Sequence, residues 1–401
     1  MSEPLLSIAE ARAAVAAEAR PLDSETVPVA DALGRVLAED VTAAGDVPPF
    51  ANSAMDGFAV TAGPAGRRLR VAGESRAGAP ADVAVTDQQG VRISTGAALP
   101  AGAGAVVPLE RASEDDGWVT LEVQAAEGLN VRAAGEDMLA GAMVLQRGLR
   151  LGPAQLGVAV SAGRGELRCA RRPRVAILTT GDELREPGSR LQPGEIHNSN
   201  LVALLALVRQ AGAQPTVARS VQDTPADTQA ALADALASCD VVVASGGVSV
   251  GPHDHVKAAL AALGVQKRFW RVALRPGKPT WFGVRGQTLV YGLPGNPVSA
   301  FVTFLLFVKP ALEALQGMPP SGRRRLAVLE TDVPRQPDRD EAIRVSLRED
   351  GQRLLATPTG PQGSHQLTSM LAADALMLVA AGAGSVAAGS VVEVEPIVAS
   401  G

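Results

Sequence analysis

Lysine is nearly missing from this chain. Of 37 basic residues only Lys257, Lys267, Lys278 and Lys309 are lysines, so arginine is the default cation and a lysine inside a polar loop carries information. Aromatic residues are equally scarce at 3%, which leaves Ala, Val and Leu to pack the cores that a 46% hydrophobic content allows. The two cysteines, Cys169 and Cys239, have neither metal-ligand spacing nor a disulfide framework; they fit a reducing compartment and read as packing residues. No large charge excess exists: 42 acidic against 37 basic residues give −5, which argues against a general nucleic-acid surface. The first residues carry Glu3, Glu10 and Arg12 and lack the apolar stretch of a secretory leader. The longest apolar run, residues 300–308, is too short to span a bilayer. The expectation is a soluble, cytoplasmic protein with no nucleic-acid or membrane partner.

At 401 residues the chain exceeds one ordinary domain. Residues 7–18 read as an amphipathic helix ended by Pro21, and residues 27–47 as β-like with turns. From residue 50 to about 141 short strands at 69–71, 91–93, 105–107 and 119–123 alternate with Gly, Pro and Asp turns, predicting a small β-rich domain. Residues 151–162 look helical, and the basic stretch 164–174 reads as a linker. Strands and helices then alternate: strands at 175–179, 216–221, 241–244, 269–274, 280–284 and 288–291, helices at 198–211, 225–237, 253–263 and 297–315. That order predicts a doubly wound, mostly parallel α/β sheet, which binds ligands at the carboxyl ends of its strands. Pro319-Pro320-Ser321-Gly322 marks a boundary, and the rest reverts to short strands. The domains expected are 1–49 with 142–172 as a discontinuous mixed unit, 50–141 as the small β domain, 173–319 as α/β, and 320–401 as a C-terminal β domain.

The most informative stretch is the apolar strand 241–244 followed by Ser245-Gly246-Gly247-Val248-Ser249-Val250-Gly251-Pro252-His253-Asp254-His255. A strand, a glycine-rich turn and a helix start form an anion site, because unpaired N–H groups converge at the positive end of the helix dipole. A carboxylate such as Asp254 beside a bound phosphate calls for a divalent cation between them. Every other strand of the α/β region also ends in a polar, glycine-bearing or capping loop. Taken singly these read as turns or caps; together they place Asp182, Glu195, Asp223 and Asp254 on one edge with Lys278. Carboxylates mixed with phosphate-binding backbone fit a Mg²⁺-bridged phosphate or pyrophosphate site.

Five segments carry a resemblance. Pro48-Pro49-Phe50-Ala51-Asn52-Ser53-Ala54-Met55-Asp56-Gly57, Thr179-Thr180-Gly181-Asp182-Glu183-Leu184, the Ser245–Gly251 loop, Pro276-Gly277-Lys278-Pro279 and Gly292-Leu293-Pro294-Gly295-Asn296-Pro297 are similar, in order, to the motif set of the MoeA/gephyrin E-domain family. Those proteins are molybdopterin molybdenumtransferases. The resemblance implies that adenylylated molybdopterin and molybdate are substrates, that Mg²⁺ is required, and that AMP is released as molybdenum cofactor forms. It implies a homodimer in which Asp56 and Thr95 face the cleft from the partner subunit. It places Glu195, Asp223 and Asp254 around the pterin phosphate and metal, Lys278 in the anion site, and Arg344 and Ser364 where they help hold the oxyanion. Ser245, Gly246, Gly247, Ser249, Gly251, Arg275, Pro279, Pro294, Gly295 and Asn296 are the further substrate-binding residues it implies. Arg275 stands where many members have Lys, and Ala51 where many have Asp or Arg. A molybdopterin adenylyltransferase and acceptor molybdoenzymes are the implied partners. Two alternatives remain: molybdopterin adenylyltransferase activity, and a non-catalytic scaffold of the gephyrin type.

Overall fold

A computed structural model describes residues 5–248, 255–319 and 324–397. The first helix, Ile8–Glu18, starts at a capping box in which Ser7 and Glu10 exchange hydrogen bonds. Its buried residues Ile8, Ala11 and Val15 join the core of the α/β region rather than that of the N-terminal unit. The basic stretch expected as a linker contains a strand instead. Glu166–Ala170 pairs antiparallel with Ser24–Pro28, because alternating Leu167 and Cys169 are fully buried against Val27 and Leu37.

The small β domain is one six-stranded sheet in the order Ala105–Pro108, Gly57–Val60, Gln89–Ile93, Arg68–Ser75, Trp118–Leu121, Ala112–Asp115. Separate apolar clusters cover its two faces, one around Phe58 and Leu121, the other around Val91 and Ile93.

The α/β region is a six-stranded sheet in the order Gln214–Val221, Arg174–Thr180, Val241–Ser245, Thr288–Leu293, Trp281–Arg285, Gln266–Trp270. The first four strands are parallel and the last two antiparallel. Helices Ser199–Gln210 and Pro297–Leu315 cover one face, and Pro225–Ser238 and His255–Ala262 the other. Val241, Val242 and Val243 are fully buried, as a strand covered on both sides requires. The strand expected over 269–274 is broken. Arg271 adopts φ 75°, which ends pairing at Trp270, and Leu274–Arg275 departs to pair parallel with Asp340 and Glu341 of the C-terminal domain. That break swings residues 276–279 away from the sheet.

Helix Pro297–Leu315 has the length and apolarity of a membrane span, with mean hydropathy 1.7, but 78% of it is buried inside the protein. Its middle, Phe304–Val308, is π-helical just before Pro310, which has no N–H to donate to Leu306. Arg12 compensates: its Nε donates to the Leu306 carbonyl at 3.1 Å, while Nη1 and Nη2 grip Glu395 at 2.8 and 2.6 Å. One side chain thus joins the first helix, the core helix and the C-terminal domain. In that domain Asp340–Asp350, an eleven-residue strand rather than a short one, pairs with both Arg353–Pro358 and Ala375–Val379. The sheet therefore closes on itself around Leu329, Ile343, Val345 and Met377.

Candidate active site

The glycine loop leaves the carboxyl end of Val241–Ser245. Ser245 Oγ donates to the carbonyl of Pro294 at 3.2 Å, and Asn200 Nδ2 reaches both Ser245 Oγ at 3.0 Å and Gly295 O at 2.7 Å. Two neighbouring strand-end loops are thereby locked together. Gly246 and Gly247 have φ of 95° and 64°, a region glycine enters freely. A Cβ on Gly246 would lie 2.8 Å from Thr180 O, and one on Gly247 2.7 Å from Val256. The backbone can approach a ligand here only without side chains. Thr180 Oγ1, beside both glycines, is a buried hydroxyl with no hydrogen-bond partner among the described residues. Val248 is buried; Ser249, Gly251 and Asp254 lie outside the described residues. Asn200 was not among the expected site residues, although its loop was; only the contact across strands shows its role.

The Asp182 carboxylate meets the backbone of the Asp223 loop. The N–H of Asp223 donates to Asp182 Oδ1 at 3.1 Å, so the loops after the first two strands converge. Glu195 is engaged differently from the metal role expected of it. Arg185 Nη2 lies 2.6 Å from its Oε1, and the N–H of Gln192 donates to Oε2 at 2.7 Å. That N–H and the Arg185 charge hold the Glu195 carboxyl below its ordinary range, against a smaller opposing effect of burial. With both oxygens occupied, Glu195 fastens its own loop. Among the described residues, no three His, Cys, Asp or Glu side chains converge as a metal site.

The departure at Arg271 builds a cleft of about 410 Å³ between residues 274–279 and the C-terminal domain. Arg275, Lys278, Ser299, Arg339, Gln362 and Ser364 line it. Gly277 has φ 125°, and a Cβ there would lie 2.5 Å from Thr303, so the loop is pressed against the core helix. Lys278 is exposed, while its carbonyl accepts from Val272 N at 3.0 Å. The backbone is thus fixed and the ammonium free to face the cleft. Arg275 Nη1 lies 3.4 Å from Glu341, whose carboxyl is pushed up by burial in spite of Arg275.

Arg344 departs from its expected place on the oxyanion. It is fully buried, its Nε donating to Ser369 Oγ at 3.2 Å and its own N–H to Gln362 Oε1 at 2.9 Å. Burial, reinforced by the charge of Arg275 and partly offset by Glu341, pushes its guanidinium down to about 10. Its Nη1 has no hydrogen-bond partner among the described residues. Arg344 therefore braces the 361–363 loop from behind. Ser364, next along, accepts at Oγ from Asn296 Nδ2 at 3.1 Å, and its carbonyl accepts from Val298 N at 3.1 Å. The pairs Asn200–Ser245, Ser245–Pro294 and Asn296–Ser364 thus run from the glycine loop to the wall of the basic cleft. Pro279 lines that cleft beside Lys278.

In the small β domain, Asp56 Oδ1 accepts from Thr95 N at 2.7 Å and Thr95 Oγ1 at 3.1 Å. Two residues 39 positions apart are therefore one exposed unit.

Comparison with known proteins covers the same three segments. Residues 6–163 match the MoeA N-terminal region (domain I and II), 176–314 a probable molybdopterin binding domain, and 326–397 the MoeA C-terminal region (domain IV). Molybdopterin molybdenumtransferase of Haemophilus influenzae is 36% identical over 386 residues, 94% of each chain. Molybdopterin molybdenumtransferase 2 of Mycobacterium tuberculosis is 37% identical over 403 residues, 97% of this chain and 98% of that one. The crystal structure of the molybdopterin biosynthesis moeA protein from Pyrococcus horikoshii OT3 superposes with a TM-score of 0.82 at 29% identity, covering 98% of this chain and 99% of that one.

Proposed function

The chain belongs to the MoeA family, whose curated members are named molybdopterin molybdenumtransferases, and from that membership we propose that it inserts molybdate into adenylylated molybdopterin and releases AMP. The observation that carries this reading is the basic cleft of Arg275 and Lys278, tied to the glycine loop through Asn296 and Ser364. A tetrahedral dianion suits it: an ammonium, guanidinium forks and hydroxyl donors converge without a covalent nucleophile. The Nη1 of Arg344 behind that wall, unpartnered among the described residues, adds positive potential next to the anion.

In this reading the pterin phosphate rests against the glycine loop at Gly247, with Thr180 Oγ1 as a donor that has no acceptor among the described residues, while the N–H of Gly246 is already given to Leu293 O at 3.1 Å. Asp182 and Asp223 sit at the same strand ends and fit Mg²⁺, which is held by one or two carboxylates with water and substrate phosphates completing its shell. When bound, that ion neutralises charge on the phosphates as the anhydride breaks. Asp254 remains a candidate third carboxylate, and Glu195 holds the neighbouring loop in place. Cys169 and Cys239 are buried and take no part, since the pterin brings its own dithiolene sulfurs.

The homodimer, with Asp56 and Thr95 completing the partner's cleft, is part of the same proposal, as is receipt of the substrate from an adenylyltransferase and delivery to molybdoenzymes. The adenylyltransferase alternative is not favoured, because the match extends over the N- and C-terminal β regions as well as the α/β domain.

The test is release of AMP from adenylylated molybdopterin by the purified chain. AMP release that depends on both molybdate and Mg²⁺ supports the reading. ATP consumption with molybdopterin, or no turnover of either substrate, contradicts it.

A further inference from the structure

A second cleft, of about 500 Å³, opens at the other end of the α/β sheet, where strand Gln214–Val221 begins and helix Ser199–Gln210 ends. Arg150, Arg172 and Arg209 line it with Gln210 and Gln214, and no Asp or Glu is among its described lining residues. In a chain of net charge −5, this is a second cleft lined by three cations, at the opposite end of the sheet from the first.

The three arginines are not equivalent. Arg150 is a strap: Nη1 donates to Gly34 O at 3.0 Å and Nη2 to Ala211 O at 3.1 Å, fastening the N-terminal unit to the α/β region. Arg172 differs from its neighbours. Arg171 and Arg174 both hold Asp240, at 2.8 and 3.4 Å, whereas the side chain of Arg172 makes no hydrogen bond or ion pair among the described residues. The Arg209 side chain likewise has none, although Arg219 in the next strand pairs with Asp234 at 3.1 Å. Nearby Arg171, Arg174 and Arg219 find carboxylates; Arg172 and Arg209 line a cavity instead.

Like charges gathered in a concavity raise the local potential and lower the free energy of a bound anion. Guanidinium forks match phosphate oxygens in pairs, and glutamine amides supply further donors. The volume lies within the range of small-ligand sites. We propose that this cleft binds the phosphate group of a small soluble ligand, at a site separate from the transfer chemistry. Such a ligand bridges Arg172, on the segment entering the first sheet strand, and Arg209, on the helix beside it. It clasps the junction that Arg150 already straps.

The experiment is titration calorimetry of the full chain with inorganic pyrophosphate. The Lys278→Ala variant serves as background, so that the first cleft contributes little. Pyrophosphate binding persists in Lys278→Ala and weakens at least tenfold when Arg172→Ala and Arg209→Ala are added. Both arginines are exposed, so the fold tolerates their loss, and circular dichroism checks it. Arg172→Ala/Arg209→Ala alone keeps wild-type AMP release. Isotherms that superimpose with and without the two arginines overturn the site. Loss of AMP release in the double variant overturns its separateness from the reaction.

Discussion

Asn296 Nδ2 donates to Ser364 Oγ at 3.1 Å, joining the start of the core helix to a loop of the C-terminal domain 68 residues later. This bond ties the wall of the basic cleft to the strand-end loop that Asn200 and Ser245 hold. Asn296→Ala and Ser364→Ala should each raise the molybdate concentration for half-maximal AMP release. Their effects should not add. A double-mutant cycle is expected to give a coupling of about 0.5–1.5 kcal/mol, the usual net worth of such a bond. Strict additivity would separate the two residues functionally.

The glycine loop offers a paired test. Gly246→Ala places a Cβ 2.8 Å from Thr180 O at φ 95°, so about 1–3 kcal/mol of strain and loss of phosphate binding are expected. Gly295→Ala meets nothing closer than Gly246 Cα at 3.8 Å and should be tolerated. Equal activity in the two variants, measured alongside urea denaturation, would show that the loop is not shaped by close approach.

The parallel strands, their glycine-rich ends and the small β domain were legible because periodicity and Gly/Pro punctuation are local. Three features were not. The strand at 166–170 is short and set inside a basic stretch, and its burial depends on Val27 and Leu37 far upstream. The break at Arg271 arises because Leu274–Arg275 finds a better partner in Asp340 and Glu341, a choice made between domains. Carboxylates on one sheet edge look alike in sequence. Only geometry distinguishes Asp182, beside Asp223, from Glu195, spent on Arg185 and Gln192. The burial of Arg344 behind the 361–363 loop could not be read from an alternating strand.

Arg12 illustrates a long-range tie with no local signature. Arg12→Ala removes a fork to Glu395 and the donor to Leu306 O, on side chains 24% and 23% exposed. Solvent screening reduces the ion pair, so a loss of about 1–2 kcal/mol is expected in chemical denaturation. Arg12→Lys should recover little of it, because a compact ammonium cannot reproduce the planar fork that spans Leu306 O and both Glu395 oxygens. Full recovery by lysine would assign the effect to charge alone.

Asp240 supplies a pH test. Burial acts to raise its pKa, but hydrogen bonds from Arg171 and Arg174 outweigh it and the carboxyl ends below its ordinary range. A lowered folded pKa stabilises above the unfolded value, near 4, and that stability is lost as pH falls through the folded value. Asp240→Asn should therefore be destabilised by about 1–2 kcal/mol at neutral pH. The gap from wild type should close below about pH 4. A gap independent of pH would mean that shape, not charge, holds Arg171 and Arg174.

The central claim is that the cleft between residues 274–279 and the 361–365 loop is the molybdate pocket. Its most direct test is AMP release from adenylylated molybdopterin, titrated with molybdate, for wild type, Lys278→Arg and Lys278→Ala. Lys278→Ala should raise the half-saturating molybdate concentration by about tenfold or more, the loss of one charge-assisted hydrogen bond, with Lys278→Arg in between. Three superimposable titration curves would place the oxyanion elsewhere and contradict the account.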